Sequence, residues 1–386
     1  MRSWAWACAA FVAVGCSSGG SPTTVGPSSA PGGSGNGGAG NGGTPADAGA
    51  TVATDGGGAG GGTTGTDGGI GPGASDGGVD DGGPGVARCA LSGPELVTPT
   101  VHQGDNISGA DTIAVDDHFI FATARIGKWR DQYVYRMDKA PGGTMTVLAH
   151  DGADVPLRRI FADGDSLYIM SIVGGLTRIG KDGSHETTLL PSSDGMTLGL
   201  TWGGRLYWSS SVNGTIDSVA ESGGAVTVHA QSQNHPQGVA IDGQYLYFTT
   251  DTRILRVALG GGAPDTVVSN ASVSGSVAVD GAQLYFGDQA GNVYAADKTP
   301  GAQPRTLAQL GYGIDYLIAD GNRLYVASNT RKPDPTQTPF DEIARVDKDG
   351  GNPRLIDTRA DLVMSLTTDA DYLYYGSSLG VTRACK

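Results

Sequence analysis

Between Ser17 and Val86 the chain has no aromatic residue, no lysine and no arginine. Gly, Ser, Thr, Ala, Pro and Asp dominate this stretch. It has too little apolar surface to offset the entropy of ordering, so a disordered tether is expected. A flexible Gly-rich chain of this length spans on the order of 45–50 Å r.m.s.. Basic residues are scarce throughout: 25 Lys and Arg stand against 39 Asp and Glu, a net charge of −14 with pI near 4.7. Six of the acids, Asp47, Asp55, Asp67, Asp76, Asp80 and Asp81, lie in the tether. The remainder is still acidic, and this excludes a nucleic-acid surface, which should be basic. The Asp-Gly pairs of the tether lack the fixed ligand positions of a calcium loop and read as solubilising charge. No nucleophile elbow, phosphate loop or metal-protease histidine pair is read in the sequence. No catalytic residue, cofactor or metal site is therefore predicted.

Long apolar runs are also missing, except at the start. Arg2 precedes a nearly continuous apolar run from Trp4 to Val14, too short for a mature membrane span. This is the pattern of a secretory signal. The segment Ala13-Val14-Gly15-Cys16, followed by Ser17, resembles a bacterial lipobox, with Ala13 where Leu is usual. The resemblance implies that residues 1–15 are removed and that Cys16 is lipidated. The protein would then be held on a membrane leaflet without spanning it. Ser17 after the cysteine implies the outer membrane of a Gram-negative bacterium.

Four cysteines are present. Cys8 leaves with the signal and Cys16 carries lipid. Cys89 and Cys385 remain at the two ends of the folded region, and in an exported protein such a pair reads as a disulfide. The expected organisation is a signal over 1–15, a lipidated cysteine and tether over 16–87, and a folded domain over 88–386.

That domain carries a repeat. Leu-Tyr followed by an aromatic or aliphatic residue recurs at Leu167-Tyr168, Leu206-Tyr207, Leu246-Tyr247, Leu284-Tyr285, Leu324-Tyr325 and Leu373-Tyr374, with a weaker copy at Phe119-Ile120-Phe121. A spacing of roughly 40 residues built from short strands predicts a radial or solenoid β fold. In one copy, 238–241, 246–249, 253–259 and 266–268 read as four strands split by Asp-Gly and Gly-rich turns. Both faces of each unit are apolar, so each must be sandwiched between neighbours, as the blades of a β-propeller are. The chain stops in its seventh repeat at Val381–Cys385, which matches a third strand. The segment Ser92–Val97 has the pattern of a fourth strand. A seven-bladed, all-β propeller closed by this N-terminal strand is predicted, with six blades as the second reading. An Asp precedes the repeat in six copies (Asp116, Asp163, Asp242, Asp280, Asp320, Asp369) and is assigned to the turn.

Leu206-Tyr207-Trp208-Ser209-Ser210 with Gly214-Thr215-Ile216 resembles the YWTD propellers of lipoprotein receptors. His235-Pro236-Gln237-Gly238-Val239-Ala240-Ile241-Asp242 resembles the NHL and TolB-like repeats of bacterial propellers. The YWTD type has six blades, and its Asp after Thr is absent from most copies here. These resemblances imply binding of a protein or glycan more often than catalysis.

The long second-to-third-strand loops are the candidate binding elements. One, 124–132, carries Arg125, Lys128, Trp129 and Arg130. The other, 329–342, carries Arg331 and Lys332 beside Phe340. Basic side chains next to an aromatic suit an anionic glycan or an acidic protein patch. The blade-to-blade connections are expected to add His102, His150 and His235, with Asp105 and Asp154. The leading expectation is a lipid-anchored binding or scaffolding module, either alone or within an envelope complex. The alternative is a propeller enzyme, such as a lyase or glycan-active hydrolase.

Overall fold

Each Leu-Tyr segment alternates across its strand, and both sides of that alternation are buried. Leu246, Tyr247 and Phe248 are all at or below 1% exposure. A strand buried on both faces needs a neighbour on each side, and the fold supplies one. The computed structural model describes residues 89–98, 107–126, 131–151, 157–171, 175–192, 195–328, 341–360 and 362–386. The signal, Cys16 and the tether lie outside the described residues.

Seven four-stranded antiparallel sheets follow one another along the chain. Blades 1 to 6 occupy 107–151, 157–190, 196–230, 239–269, 277–309 and 316–360. In each, strand order in the sheet equals order in the sequence, from the innermost strand at the axis to the outermost at the rim. Blade 4 is typical, with Val239–Ile241, Tyr245–Thr249, Arg253–Ala258 and Asp265–Ser269. In blades 1 to 6 the third and fourth strands share a register shift at the same place, for example Ile216/Asp217, Ile254/Leu255 and Val293/Tyr294. Such a bulge adds local twist towards the rim. The weak repeat at Phe119 forms a full blade, so the six-blade reading is incorrect.

Blade 7 has three strands from the C-terminal end, Ser365–Thr368, Tyr372–Ser377 and Gly380–Cys385. Its fourth is the N-terminal Glu95–Leu96, paired as Glu95↔Arg383 and Leu96↔Thr382. Val97 N–H donates to the Val381 carbonyl at 2.8 Å, and the Arg383 guanidinium meets the Glu95 carboxylate at 2.8 Å. The disulfide between Cys89 and Cys385 locks this closure, with a Cα–Cα distance of 5.6 Å.

The apolar core is divided among the joints between blades. Among the described residues there are seven buried clusters, each drawn from two adjacent blades. One joins Phe121 and Val134 of blade 1 to Ile160 and Leu167 of blade 2; another joins Tyr247 and Ile254 of blade 4 to Leu284 and Phe286 of blade 5. Burying a side chain of this size contributes about 1.5–3 kcal/mol. Near the axis the packing is tight enough to exclude a side chain at Gly238, where a Cβ would run into the Gly275 carbonyl.

Opening the disulfide frees a loop of nearly the whole ring. Loop-closure entropy sets an upper figure of about 5–6 kcal/mol for its contribution. Cys89→Ser is expected to lower the midpoint of thermal unfolding clearly, and reduction of the wild type should lower it equally. An unchanged midpoint in both would show that the N-terminal strand closes the ring without covalent help.

Candidate functional site

A propeller has two unlike faces. One carries the hairpin turns between the first and second strands and between the third and fourth (the turn face). The other carries the second-to-third turns and the blade-to-blade connections (the loop face).

On the turn face the repeated aspartates cap their own turns. One oxygen of Asp242 accepts from the Gln244 and Tyr245 N–H groups at 3.0 and 2.9 Å; Asp116 and Asp369 do the same in their turns. The second oxygen does something the sequence reading missed. It accepts from a lysine in the third-to-fourth turn of the next blade. The pairs are Lys181–Asp116 and Lys139–Asp369 at 2.6 Å, Lys298–Asp242 at 2.7 Å, and the close pair Lys348–Asp280; Lys386, directly after the third strand of blade 7, makes an ion pair with Asp320 and donates to the Asp369 carbonyl. Four of these ammonium groups also lie over the aromatic ring of the repeat, at 5.6 Å from Phe121, 6.0 Å from Tyr247, 5.4 Å from Tyr285 and 5.8 Å from Tyr374. An arginine opposite that ring reaches the carbonyl of the same turn in the next blade: Arg136 to Lys181, Arg256 to Lys298 and Arg383 to Lys139.

Burial works against ionisation of Asp116, Asp242 and Asp369. The lysine ammonium and the turn N–H groups outweigh it and hold all three carboxyls below their usual range, Asp242 at about 2. At Asp280 the Lys348 ammonium is the leading cause of the same lowering. The Tyr247 and Tyr374 hydroxyls are pushed up by burial and then by donating to Asp242 and Asp369.

Two adjacent joints depart from this pattern. Between blades 2 and 3 the lysine position is Glu221, and between blades 3 and 4 it is Leu259. Both are placed like the lysines, with their N–H groups donating to the Gly204 and Gln244 carbonyls, as Lys298 N–H does to Ala282. At the blade 3–4 joint the aspartate position is also lost, to Trp202, which stays 41% exposed.

The loop face is irregular. The His235 imidazole Nδ1 and the Asn234 amide both meet the same Asp251 carboxylate oxygen, at 3.0 and 3.1 Å, and the group is exposed. His235 sits at φ +44°, so its turn is set by backbone strain as well as by this contact. Val212, Leu362 and Leu379 are exposed apolar side chains on this face, at 74%, 39% and 62%. The axial channel is a cavity of about 410 Å³ walled by the innermost strands. Arg159 and Tyr316 face each other across it, the guanidinium 5.7 Å from the ring centre, and Ser276 and Ser365 are among the lining residues.

Several predicted binding residues fall differently from expectation. His150 is in the outermost strand of blade 1, Met145–Asp151, where it pairs with Tyr133 and stacks on its ring at 4.2 Å. It is not in a blade-to-blade connection, because pairing continues one turn further than the sequence pattern suggested. Arg125 likewise lies within a strand, Phe119–Ile126, and the next strand begins at Asp131. His235 is on the loop face as expected. His102, Lys128, Trp129, Arg130, Arg331 and Lys332 lie outside the described residues. Among the described residues no three His, Cys, Asp or Glu side chains gather as a metal site.

Two features resemble catalytic parts and do not fit the role. The Ser218 hydroxyl and His229 Nε2 are 2.8 Å apart. Yet Ser218 is fully buried and accepts from the Arg205 guanidinium at 2.9 Å, and burial followed by Arg205 lowers the His229 pKa. This is a packed polar joint filling the place that arginine takes opposite the ring in other blades. Gly376-Ser377-Ser378-Leu379-Gly380 has the spacing of a nucleophile elbow, but it forms a hairpin turn between two strands of blade 7, with Leu379 N–H donating to Ser377 Oγ. A groove beside blades 1 and 2 gathers Arg136, Arg178 and Lys181. All three are engaged in blade-to-blade contacts.

Seven four-stranded sheets with the last closed by the N-terminal strand decide the architecture. The chain is a seven-bladed β-propeller. No protein-family model matches it, and no curated protein matches it either. Solved propellers do. YCF48 bound to D1 peptide is 12% identical, with a TM-score of 0.58 over 78% of this chain and 100% of the other. The WD40 propeller domain of Doa1 is 14% identical, with a TM-score of 0.57 over 77% and 97%. The computationally designed Ika8 protein is 14% identical, with a TM-score of 0.55 over 76% and 99%. The likeness is one of fold.

The aspartate staples set a pH dependence. Their folded pKa values are lowered, so their contribution is complete above the unfolded value of about 3.9 and is lost as pH falls towards about 2. Thermal midpoints should drop across that window. Asp242→Asn should lower the midpoint at neutral pH, at a cost of about 1–3 kcal/mol, and flatten the acid drop. Equal acid slopes in the two proteins would contradict the assignment.

Proposed function

We propose that this protein is an exported lipoprotein, anchored through Cys16 in the outer membrane, whose propeller binds a protein ligand on its loop face. The observation that carries the reading is the inequality of the two faces. The turn face commits its charged side chains to repeated blade-to-blade pairs. The loop face is free of that repeat, presents Val212, Leu362 and Leu379 as exposed apolar side chains, and carries the His235–Asp251 pair. Exposed apolar side chains suit a protein surface better than a sugar, which needs convergent hydrogen-bond groups. The two sequence-defined connections between second and third strands, one with Lys128, Trp129 and Arg130 after the strand residue Arg125 and one with Arg331 and Lys332, would supply a cationic and aromatic rim. The peptide in the YCF48 structure gives a precedent for a propeller of this size holding a polypeptide. The tether would give such a module reach from its anchor.

Cross-linking capture on intact cells with the full-length lipidated protein tests this. One protein partner should be captured reproducibly. Trp129→Ala with Arg331→Ala should cut its recovery at least tenfold, and so should Leu362→Asp with Leu379→Asp. Full recovery in both variants would remove the loop face as the binding surface.

A further inference from the structure

The blade 3–4 joint has neither the lysine nor the aspartate of the turn-face pairs, with Leu259 and Trp202 in those places. A buried polar group stands in the joint instead. The Tyr207 ring lies 5.4 Å from the His229 ring, and Ser218 is paired with Tyr207 across the sheet. The Ser218 hydroxyl meets three nitrogens: Arg205 Nε at 3.1 Å, Arg205 Nη2 at 2.9 Å and His229 Nε2 at 2.8 Å. Arg205 Nη2 also donates to Thr227 Oγ1 at 3.0 Å. Ser218 is fully buried, and His229 keeps 8% of its exposure. A hydroxyl offers one hydrogen and two lone pairs, and a guanidinium nitrogen can only donate. The two Arg205 bonds therefore take both lone pairs of Ser218. Its one hydrogen is left for His229 Nε2. That nitrogen must then be bare, with the imidazole hydrogen on Nδ1.

We propose that the blade 3–4 joint is an acid-sensitive lock: the Ser218 hydroxyl ties Arg205 to neutral His229, and a proton on His229 Nε2 breaks the tie and loosens the joint. A protonated Nε2 needs a lone pair that Ser218 has already given to Arg205. It also brings a second positive charge onto the oxygen that holds the guanidinium. The described residues on the facing side do not relieve it. From blade 4 the side chains packed into this joint are Leu246, Phe248, Leu255 and Val257, all apolar. Within blade 3 the charged and titratable groups beside the imidazole are Arg205 and Tyr207. Arg205 stays charged, and burial pushes the Tyr207 hydroxyl up, so it stays neutral. Asp217 neighbours Ser218 but alternates to the other face of the sheet, with Trp208, towards blade 2. Burial first, and then Arg205, lowers the His229 pKa. The sign follows. A histidine whose folded pKa is depressed contributes in full above the unfolded value of about 6.5, and the contribution is lost as pH falls from there through the folded value. This window opens well above the one in which the aspartate staples fail. Mild acid therefore loosens blade 3 from blade 4 while the stapled joints hold.

The test uses the full chain. Heteronuclear NMR of the histidine rings at pH 7.5 should show His229 neutral, with its hydrogen on Nδ1 and none on Nε2. Thermal midpoints of the wild type and of His229→Gln are then compared from pH 8 to 5, with hydrogen exchange corrected for intrinsic rates. Glutamine cannot titrate. The difference between the two midpoints should be constant above pH 7 and move in favour of the variant as pH falls to 5. Protection at amides 206–209 and 216–219 should fall about tenfold in the wild type over that range and stay level in the variant, with no change at the Asp242–Lys298 joint. Arg205→Met frees both lone pairs of Ser218 and should abolish the acid loss, even where it lowers the midpoint at pH 8. A hydrogen on His229 Nε2 at pH 7.5 would overturn the proposal, as would midpoint curves for wild type and His229→Gln that run parallel from pH 8 to 5.

Discussion

The ring is held by one contact made again and again: an ammonium from one blade laid on the aromatic ring of its neighbour and bonded to the aspartate of that neighbour's turn. An exposed ion pair of this kind would contribute little. Here the lysine and aspartate of the Lys298–Asp242 pair keep only 18% and 14% of their exposure, the carboxylate is already fixed by its turn, and the tyrosine hydroxyl donates to the same oxygen. Little side-chain entropy remains to be lost when the pair forms. The same residue therefore ends a strand, directs a lysine and aligns two blades, and the apolar clusters beneath inherit that alignment.

The blade pattern was legible in the sequence because each strand repeats the same burial demand at an even spacing. The closing strand was legible too, since Glu95-Leu96-Val97 has the fourth-strand pattern and Cys89 and Cys385 bracket the ring. The staple was only half visible. Aspartates at a fixed distance before Leu-Tyr identify turns, and that role is real at Asp116, Asp242 and Asp369. Their partners sit 56 to 230 residues away in sequence for Asp242 and Asp369, so no local pattern links them. A signal did exist. Lysine follows the third strand at Lys139, Lys181, Lys298, Lys348 and Lys386, and arginine stands opposite the ring in most blades. Setting the repeats side by side on the third strand rather than the second would have exposed both. His150 and Arg125 were misplaced for a simpler reason: polar residues at a strand end look like loop when the pairing partner is unknown.

Division of labour between the faces follows from this chemistry. Repetition on the turn face leaves its charges satisfied by one another. Loops on the opposite face carry no such obligation and vary in length and composition, as loops on a rigid scaffold do. Blade 3 is where the repeat itself varies. Its ring faces Ser218 and His229 rather than an arginine, its turn presents Trp202, and its next turn carries Glu221. These substitutions are clustered in one sector of an otherwise regular ring.

A double-mutant cycle at Asp242 and Lys298 tests the dependence of the ring on its staples most directly. Asp242→Asn, Lys298→Met and the pair are compared by equilibrium unfolding of the full chain. A coupling energy of about 1–2 kcal/mol is the predicted result. Additivity within about 0.3–0.5 kcal/mol would show that the blades are held by their apolar clusters alone.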